Sequence, residues 1–347
     1  MSGLARRYEL VPQLRDYERL PSEWVPYLMR RTRGGVRSAC CNTDAHGFRL
    51  TRTVEGRLID YDQFRELPAP KGLLVGGSLA FGVGASSDST TLASLLNQLT
   101  PLTWCNFGCR TFNATQEALL GLLYRSDAQE IALVSGLNNL ITHPLSGYFV
   151  PGLGSFCEDY RFHQGMRLQE RPLSIFAMSG QWLRRRMDHL VPRTPDALDN
   201  PDSYQRLLEV VARDMDLWCL IRDSRHCRVS YFLQPCALWV RKTLSPEEAE
   251  LFAILDRAGG RPWKALMHFL RNCYPRYRDD LRSLCEERDI PFEDLNAACP
   301  MQGWLFCDRA HLTDEGSRIF ASRIAARFVQ PSPEPDGRAA AATELAR

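Results

Sequence analysis

The sequence predicts an α/β fold built on a doubly wound, five-stranded parallel sheet, and two observations predict it. From Lys71 onward, short apolar runs alternate with amphipathic stretches of helix length, the pattern of parallel strands joined by crossover helices. The first of those runs, KGLLVGGSLAFGVGAS over residues 71–86, ends in two glycines and a serine and then carries two more glycines. That excess over an ordinary turn indicates a backbone that bends sharply and leaves Ser78 accessible.

Taken in order, residues 1–70 are rich in Arg and Tyr and show no strand–helix alternation. They read as an N-terminal extension packed on the core. Strands are predicted at KGLLVGG (71–77), LTWCNFG (102–108), EIALVSG (130–136), CRVSYFLQP (227–235) and IPFEDLN (290–296). Helices are predicted over 91–99, 115–126, 202–223, 245–257, 263–288 and 313–328. The interval 140–200, punctuated by HPLSGYFVPGLGSF, is too long for a plain connection and reads as an insertion over the carboxyl edge of the sheet, a candidate lid. The main domain therefore spans 71–330. Residues 331–347 are Pro, Ala and charge with little to bury, and are expected to be disordered.

Composition excludes several classes of function. The chain has 347 residues, 44% of them hydrophobic, and a formal net charge of +2, enough for a sizeable core and too balanced to draw it to nucleic acid or anionic lipid. The basic runs MRRTRGGVR (29–37) and RRRMDH (184–189) lack interleaved aromatics and read as solvated faces. No segment approaches the roughly 20 apolar residues of a membrane span, and the first residues hold no apolar run of leader length, so a cytoplasmic location is expected. The 12 cysteines match no paired metal pattern and read as small, reduced, buried residues; no metal or cofactor is expected.

A serine hydroxyl is a weak nucleophile. It needs a base in hydrogen-bond reach, a group that orients the base, and donors for a developing oxyanion. Groups from distant segments converge at the carboxyl edge of an open parallel sheet, and Ser78 ends the first predicted strand. The second strand ends in NFGCRTFNATQE (106–117), the third in SGLNNL (135–140), and DRAHLTDEG (308–316) puts a carboxylate three residues before a histidine at the mouth of a helix. Taken singly, each segment is also an ordinary turn or cap.

Together and in this order, the four segments resemble the sequence blocks of the SGNH (GDSL-type) hydrolases. Gly76-Gly77-Ser78-Leu79 resembles the nucleophile block, Asn106 to Gln116 the glycine block, Gly136-Leu137-Asn138-Asn139 the asparagine block, and Asp308-Arg309-Ala310-His311-Leu312-Thr313 the D-x-x-H-L-T block. The resemblance covers about residues 71–328. It implies a three-layer α/β/α, flavodoxin-like fold, with Ser78 as nucleophile, His311 as general base and then acid, and Asp308 orienting the imidazole. The oxyanion would rest on the backbone N–H of Ser78 and the side-chain amide of Asn138.

Three positions depart from the family pattern. Gly77 and Asn139 stand where the family usually has Asp, and Thr111 stands where the oxyanion-hole glycine belongs. Either Thr111 or Gly108 would complete the hole. Arg110, next to Thr111, is a candidate reader of an anionic part of the substrate. His143, in NNLITHP, reads as structural, and Trp104, Trp304 and Phe306 as core. The expected activity is cleavage of an acyl ester through an acyl-enzyme, without cofactor, on a small-molecule or carrier-bound acyl substrate. Acyl transfer or thioester cleavage on a carrier protein or coenzyme A, and a non-catalytic ligand-binding role, stay open at this point.

Overall fold

The computed structural model describes residues 3–124, 126–145, 154, 201–297 and 301–329. The lid assigned to 140–200 falls mostly outside the described residues, as do the basic run at 184–189, the tail and the side chain of His143.

The N-terminal segment is more structured than its sequence pattern indicates. It holds helices α1 (Gly3–Leu10) and α2 (Leu14–Arg19), a hairpin of β1 (Ser22–Val25) and β2 (Met29–Thr32), a second of β3 (Thr51–Arg52) and β4 (Leu58–Ile59), and helix α3 (Tyr61–Glu66). These elements are too short to leave a period in the sequence. α3 is still set by its caps, because the Asp60 side chain accepts from Gln63 N while the Gln63 side chain accepts from the Asp60 N–H.

The central sheet is the predicted one. Strands β5 (Lys71–Gly76), β6 (Thr103–Gly108), β7 (Glu130–Ser135), β8 (Arg228–Leu233) and β9 (Phe292–Asp294) pair in parallel in the order β6-β5-β7-β8-β9. β5 and β7 are buried along their whole length, which is why they read as continuous apolar runs rather than alternating ones. Successive side chains point to opposite faces. Leu73 and Val75 of β5, with Ile131 and Leu133 of β7, enter one core cluster, whereas Leu74, Ala132 and Val134 enter the other. The sheet is thereby sandwiched in three layers.

Helices α4 (Ser78–Phe81), α5 (Leu92–Leu99), α6 (Ala114–Leu123), α7 (Leu137–Leu145), α8 (Pro201–Arg225), α9 (Pro246–Glu286) and α10 (Asp314–Val329) complete the described elements. α5 and α10 cover one face, and α6 and α8 the other. The two helices predicted over 245–288 follow one another within α9, separated by a kink at Gly260, whose φ of 62° leaves the helical region. Val11 and Leu14 of the N-terminal segment join the same cluster as Leu74 and Trp104, and Trp104 and Phe306 are fully buried. Among the described residues no helix is long and apolar enough to cross a membrane.

One buried acid makes stability pH-dependent. Glu117 of α6 is 2% exposed. Burial pushes its carboxyl up to about 8, opposed by a hydrogen bond from Ser135 and reinforced by Asp214. Between the ordinary carboxylate value and about 8 the folded chain holds a proton that the unfolded chain has lost, so stability falls as pH rises, by at most about 1.4 kcal/mol per pH unit. Glu117→Gln is expected to flatten the decline in thermal midpoint between about pH 5 and pH 8; an unchanged slope would show that the group is not protonated in the fold.

Candidate active site

The strand order of the sheet, numbered from β5, is 2-1-3-4-5, and its topological switch point lies between β5 and β7, the place where ligands bind in open α/β sheets. Ser78 follows β5 and Asn138 follows β7, so the two flank that crevice. α4 begins at Ser78 itself, which leaves the Ser78 N–H among the orphan donors of a helix N-terminus. The paired glycines before it have a steric cause: a Cβ on Gly76 would lie 2.2 Å from the Val134 carbonyl oxygen, and one on Gly77 2.5 Å from Asn138 Nδ2. The amide of Asn138 therefore packs directly against the residue preceding Ser78.

Across the crevice, the chain before α10 folds into a tight reversal in which Cys307 N donates to His311 O at 3.0 Å and Thr313 N to Leu305 O at 2.9 Å. Inside it, Asp308 Oδ1 accepts from Ala310 N at 2.8 Å and His311 N at 2.9 Å. With Oδ1 so anchored, Oδ2 is aimed at His311 Nδ1, 2.8 Å away. His311 Nε2 lies 2.7 Å from Ser78 Oγ, over a sequence separation of 233 residues. Both contacts are satisfied at once by the tautomer in which Nδ1–H donates to Asp308 and Nε2 accepts from the serine hydroxyl.

Burial alone would push the Asp308 carboxyl up. The charge and hydrogen bond of His311, the Ala310 N–H and the cation of Arg7 outweigh it and pull the group down to about 2. Asp308 is thus an anion through the neutral range, as an orienting group must be.

The remaining predicted residues divide. The Gly108 N–H donates to Asn106 Oδ1 at 2.8 Å and is engaged there. Thr111 takes φ 71°, the left-handed region that a glycine adopts freely and a β-branched residue adopts at a cost of about 1–2 kcal/mol. Thr111 therefore holds a backbone conformation that glycine adopts freely. Its hydroxyl donates to Arg110 O at 2.5 Å, and its N–H has no acceptor among the described residues. Asn138 Nδ2 donates one hydrogen to Phe112 O at 2.7 Å, leaving its second. Asn139 ties neighbouring elements together: Oδ1 accepts from Ala114 N at 2.9 Å and Nδ2 donates to the Tyr277 hydroxyl at 3.2 Å.

Arg110 lines the cavity over Ser78, but its guanidinium donates to Tyr17 O at 3.0 Å, Leu20 O at 2.9 Å and Ser22 Oγ at 3.0 Å. These contacts make it a tether for the N-terminal segment. Arg49, fully buried, is a second tether, donating to Asp88, the Tyr17 hydroxyl and Gly82 O. Tyr17 in turn donates to Ala85 O at 2.8 Å.

The N-terminal segment consequently forms one wall of the site. The cavity, of about 290 Å³, is lined by Ser78, Thr111 and His311 together with Arg7, Tyr17 and Arg30, among others, from that segment. Reading residues 29–37 as a solvated face needs correction, since Arg30 lines this cavity and Arg31 is bonded to Glu23 and Tyr124. As neighbours on β2, the two side chains point to opposite faces of the hairpin, Arg30 at the cavity and Arg31 at Tyr124. Nothing in the sequence of the first 70 residues marks Arg7, Glu18 or Arg30 as site residues.

The chain matches no family model and no curated protein at a significant level. Among solved structures it is similar to a carbohydrate acetylesterase family member from Sinorhizobium meliloti, at 11% identity over 74% of this chain and 94% of that one, with a TM-score of 0.40. An aryl esterase from M. smegmatis is similar at 11% identity over 75% of this chain and 98% of that one, TM-score 0.39. An acetyl xylan esterase is similar at 12% identity over 75% and 100%, TM-score 0.36. At such identities and scores these likenesses say nothing about substrate.

Proposed function

We propose that the protein is a serine hydrolase that cleaves an acyl ester through an acyl-enzyme intermediate. The single observation behind this reading is the unbroken hydrogen-bonded line from Ser78 Oγ through the imidazole of His311 to Asp308 Oδ2, at 2.7 and 2.8 Å. A purely structural histidine has no need to meet a serine at a ligand crevice while its other nitrogen meets a carboxylate held ionised.

His311 Nε2 takes the Ser78 proton as Oγ attacks the ester carbonyl, and Asp308 stabilises the imidazolium that forms. The negative charge gathering on the carbonyl oxygen is received by the N–H groups of Ser78 and Thr111 and by the second amide hydrogen of Asn138. His311 then gives its proton to the departing alcohol. Water, deprotonated by the same imidazole, releases the acyl group. A cavity of about 290 Å³ suits a short acyl group and a compact alcohol.

Rapid mixing with para-nitrophenyl acetate tests the two-step path: the reading predicts a burst of nitrophenol close to one equivalent per chain whenever deacylation is the slower step. Asn138→Ala is expected to lower turnover by about a hundred- to a thousandfold, the worth of one oxyanion donor, with the Michaelis constant little changed. A loss confined to the Michaelis constant would remove Asn138 from the hole.

A further inference from the structure

The wall supplied by the N-terminal segment carries charge that the ester chemistry does not use. The Arg7 side chain is 11% exposed and ion-paired through Nη1 to Glu18. Its Nη2 stands 4.0 Å from Asp308 Oδ2, too far for a hydrogen bond, and its buried Nε has no hydrogen-bond partner among the described residues. Nη2, on a side chain that lines the cavity, donates to no acceptor among the described residues and is available to an acceptor atom of a ligand. Both neighbouring carboxylates also serve other donors, Glu18 the Tyr8 hydroxyl and Asp308 Oδ2 the His311 Nδ1–H.

The surroundings specify the charge of a group that Arg7 would bind. Three guanidinium groups, of Arg7, Arg30 and Arg110, line the cavity against two carboxylates, of Glu18 and Asp308. A concave site with an excess of one sign concentrates ligands of the other, and a guanidinium favours carboxylate and phosphate oxygens. The position specifies which part of the substrate is read. His311 protonates the departing alcohol, which therefore leaves on the imidazole side, where Asp308 brings Arg7 close.

Resting on the hydrolase reading, we propose that Arg7 is a specificity-determining residue that binds an anionic group, carboxylate or phosphate, on the alcohol portion of the ester, with Glu18 as the internal carboxylate that competes for it. A segment outside the sheet thus sets the substrate preference of a site whose chemistry belongs to the sheet.

The test uses the full chain carrying Ser78→Ala, so that intact esters can be titrated by calorimetry without turnover. In one arm para-acetoxybenzoate is compared with its neutral methyl ester, and in the other para-acetoxyphenyl phosphate with para-acetoxyphenol; the arm with the larger ratio identifies the anion. The anionic member is expected to bind about tenfold tighter or more, as a charge-assisted hydrogen bond provides. Adding Arg7→Met should bring the ratio to about one, and adding Glu18→Gln in place of Arg7→Met should raise it. Equal binding of both members, a preference that survives Arg7→Met, or a ratio lowered by Glu18→Gln overturns the proposal. Because binding is read without catalysis, a wild-type chain that cleaves no ester would defeat the hydrolase reading and leave this result standing.

Discussion

Replacing Ser78 by Ala is expected to lower ester hydrolysis by about a millionfold, to the level that binding and the oxyanion donors sustain alone. The serine, imidazole and carboxylate act as one unit, so the losses do not add. Once Ser78 is gone, removing His311 should cost almost nothing further. The fold should not suffer, because the Ser78 side chain has His311 as its partner, whereas the backbone of α4 is held by Gly82 N and Val83 N donating to Ser78 O. The measurement is turnover of a matched ester by Ser78→Ala, His311→Ala and the double variant. Losses that multiplied would show that the two residues do not share a step.

Asp308→Asn is expected to cost about ten-thousandfold in turnover while leaving the loop intact. Asp308 Oδ1 is fixed by the N–H groups of Ala310 and His311, and an asparagine would keep its oxygen there. Its NH₂ would then face His311 Nδ1. That donor forces the proton onto Nε2, which can no longer accept from Ser78. The wild-type carboxyl, held down to about 2, lies below its unfolded value. Its ionised form therefore contributes stability above the ordinary carboxylate range, and that contribution is lost only as pH falls toward about 2. Loss of activity on mild acidification must accordingly come from some other group than Asp308. A variant that kept turnover within tenfold of wild type would show that tautomer control is not the role of Asp308.

Much of this arrangement was legible in the sequence, for a physical reason. Strands buried on both faces need apolar runs, and β5 and β7 carry them in GLLVG and IALV. Ser78 and Asn138 sit where those runs stop, and the spacing between Asp308 and His311 is set by one local turn, so short stretches of sequence carried the information. Thr111 was readable as a departure from the resembled pattern, yet only the backbone angle shows that it takes a glycine-like conformation.

The N-terminal wall was not legible. Its contacts are side-chain donors reaching single carbonyls across long separations, such as Arg110 to Leu20 and Gln13 to Gly84, and such bonds impose no period on the chain. The same blindness made Arg110 a candidate for the substrate. Adjacency to Thr111 was visible in the sequence, whereas the carbonyls of Tyr17 and Leu20 that engage its guanidinium were not.

Labelling the native chain with a fluorophosphonate and locating the adduct by peptide mass spectrometry tests the central claim most directly. A hydroxyl activated by its imidazole should give one adduct per chain, on Ser78, absent from Ser78→Ala and strongly suppressed in His311→Gln. A well-folded native chain that takes up no label, or takes it up on another serine, would contradict the account.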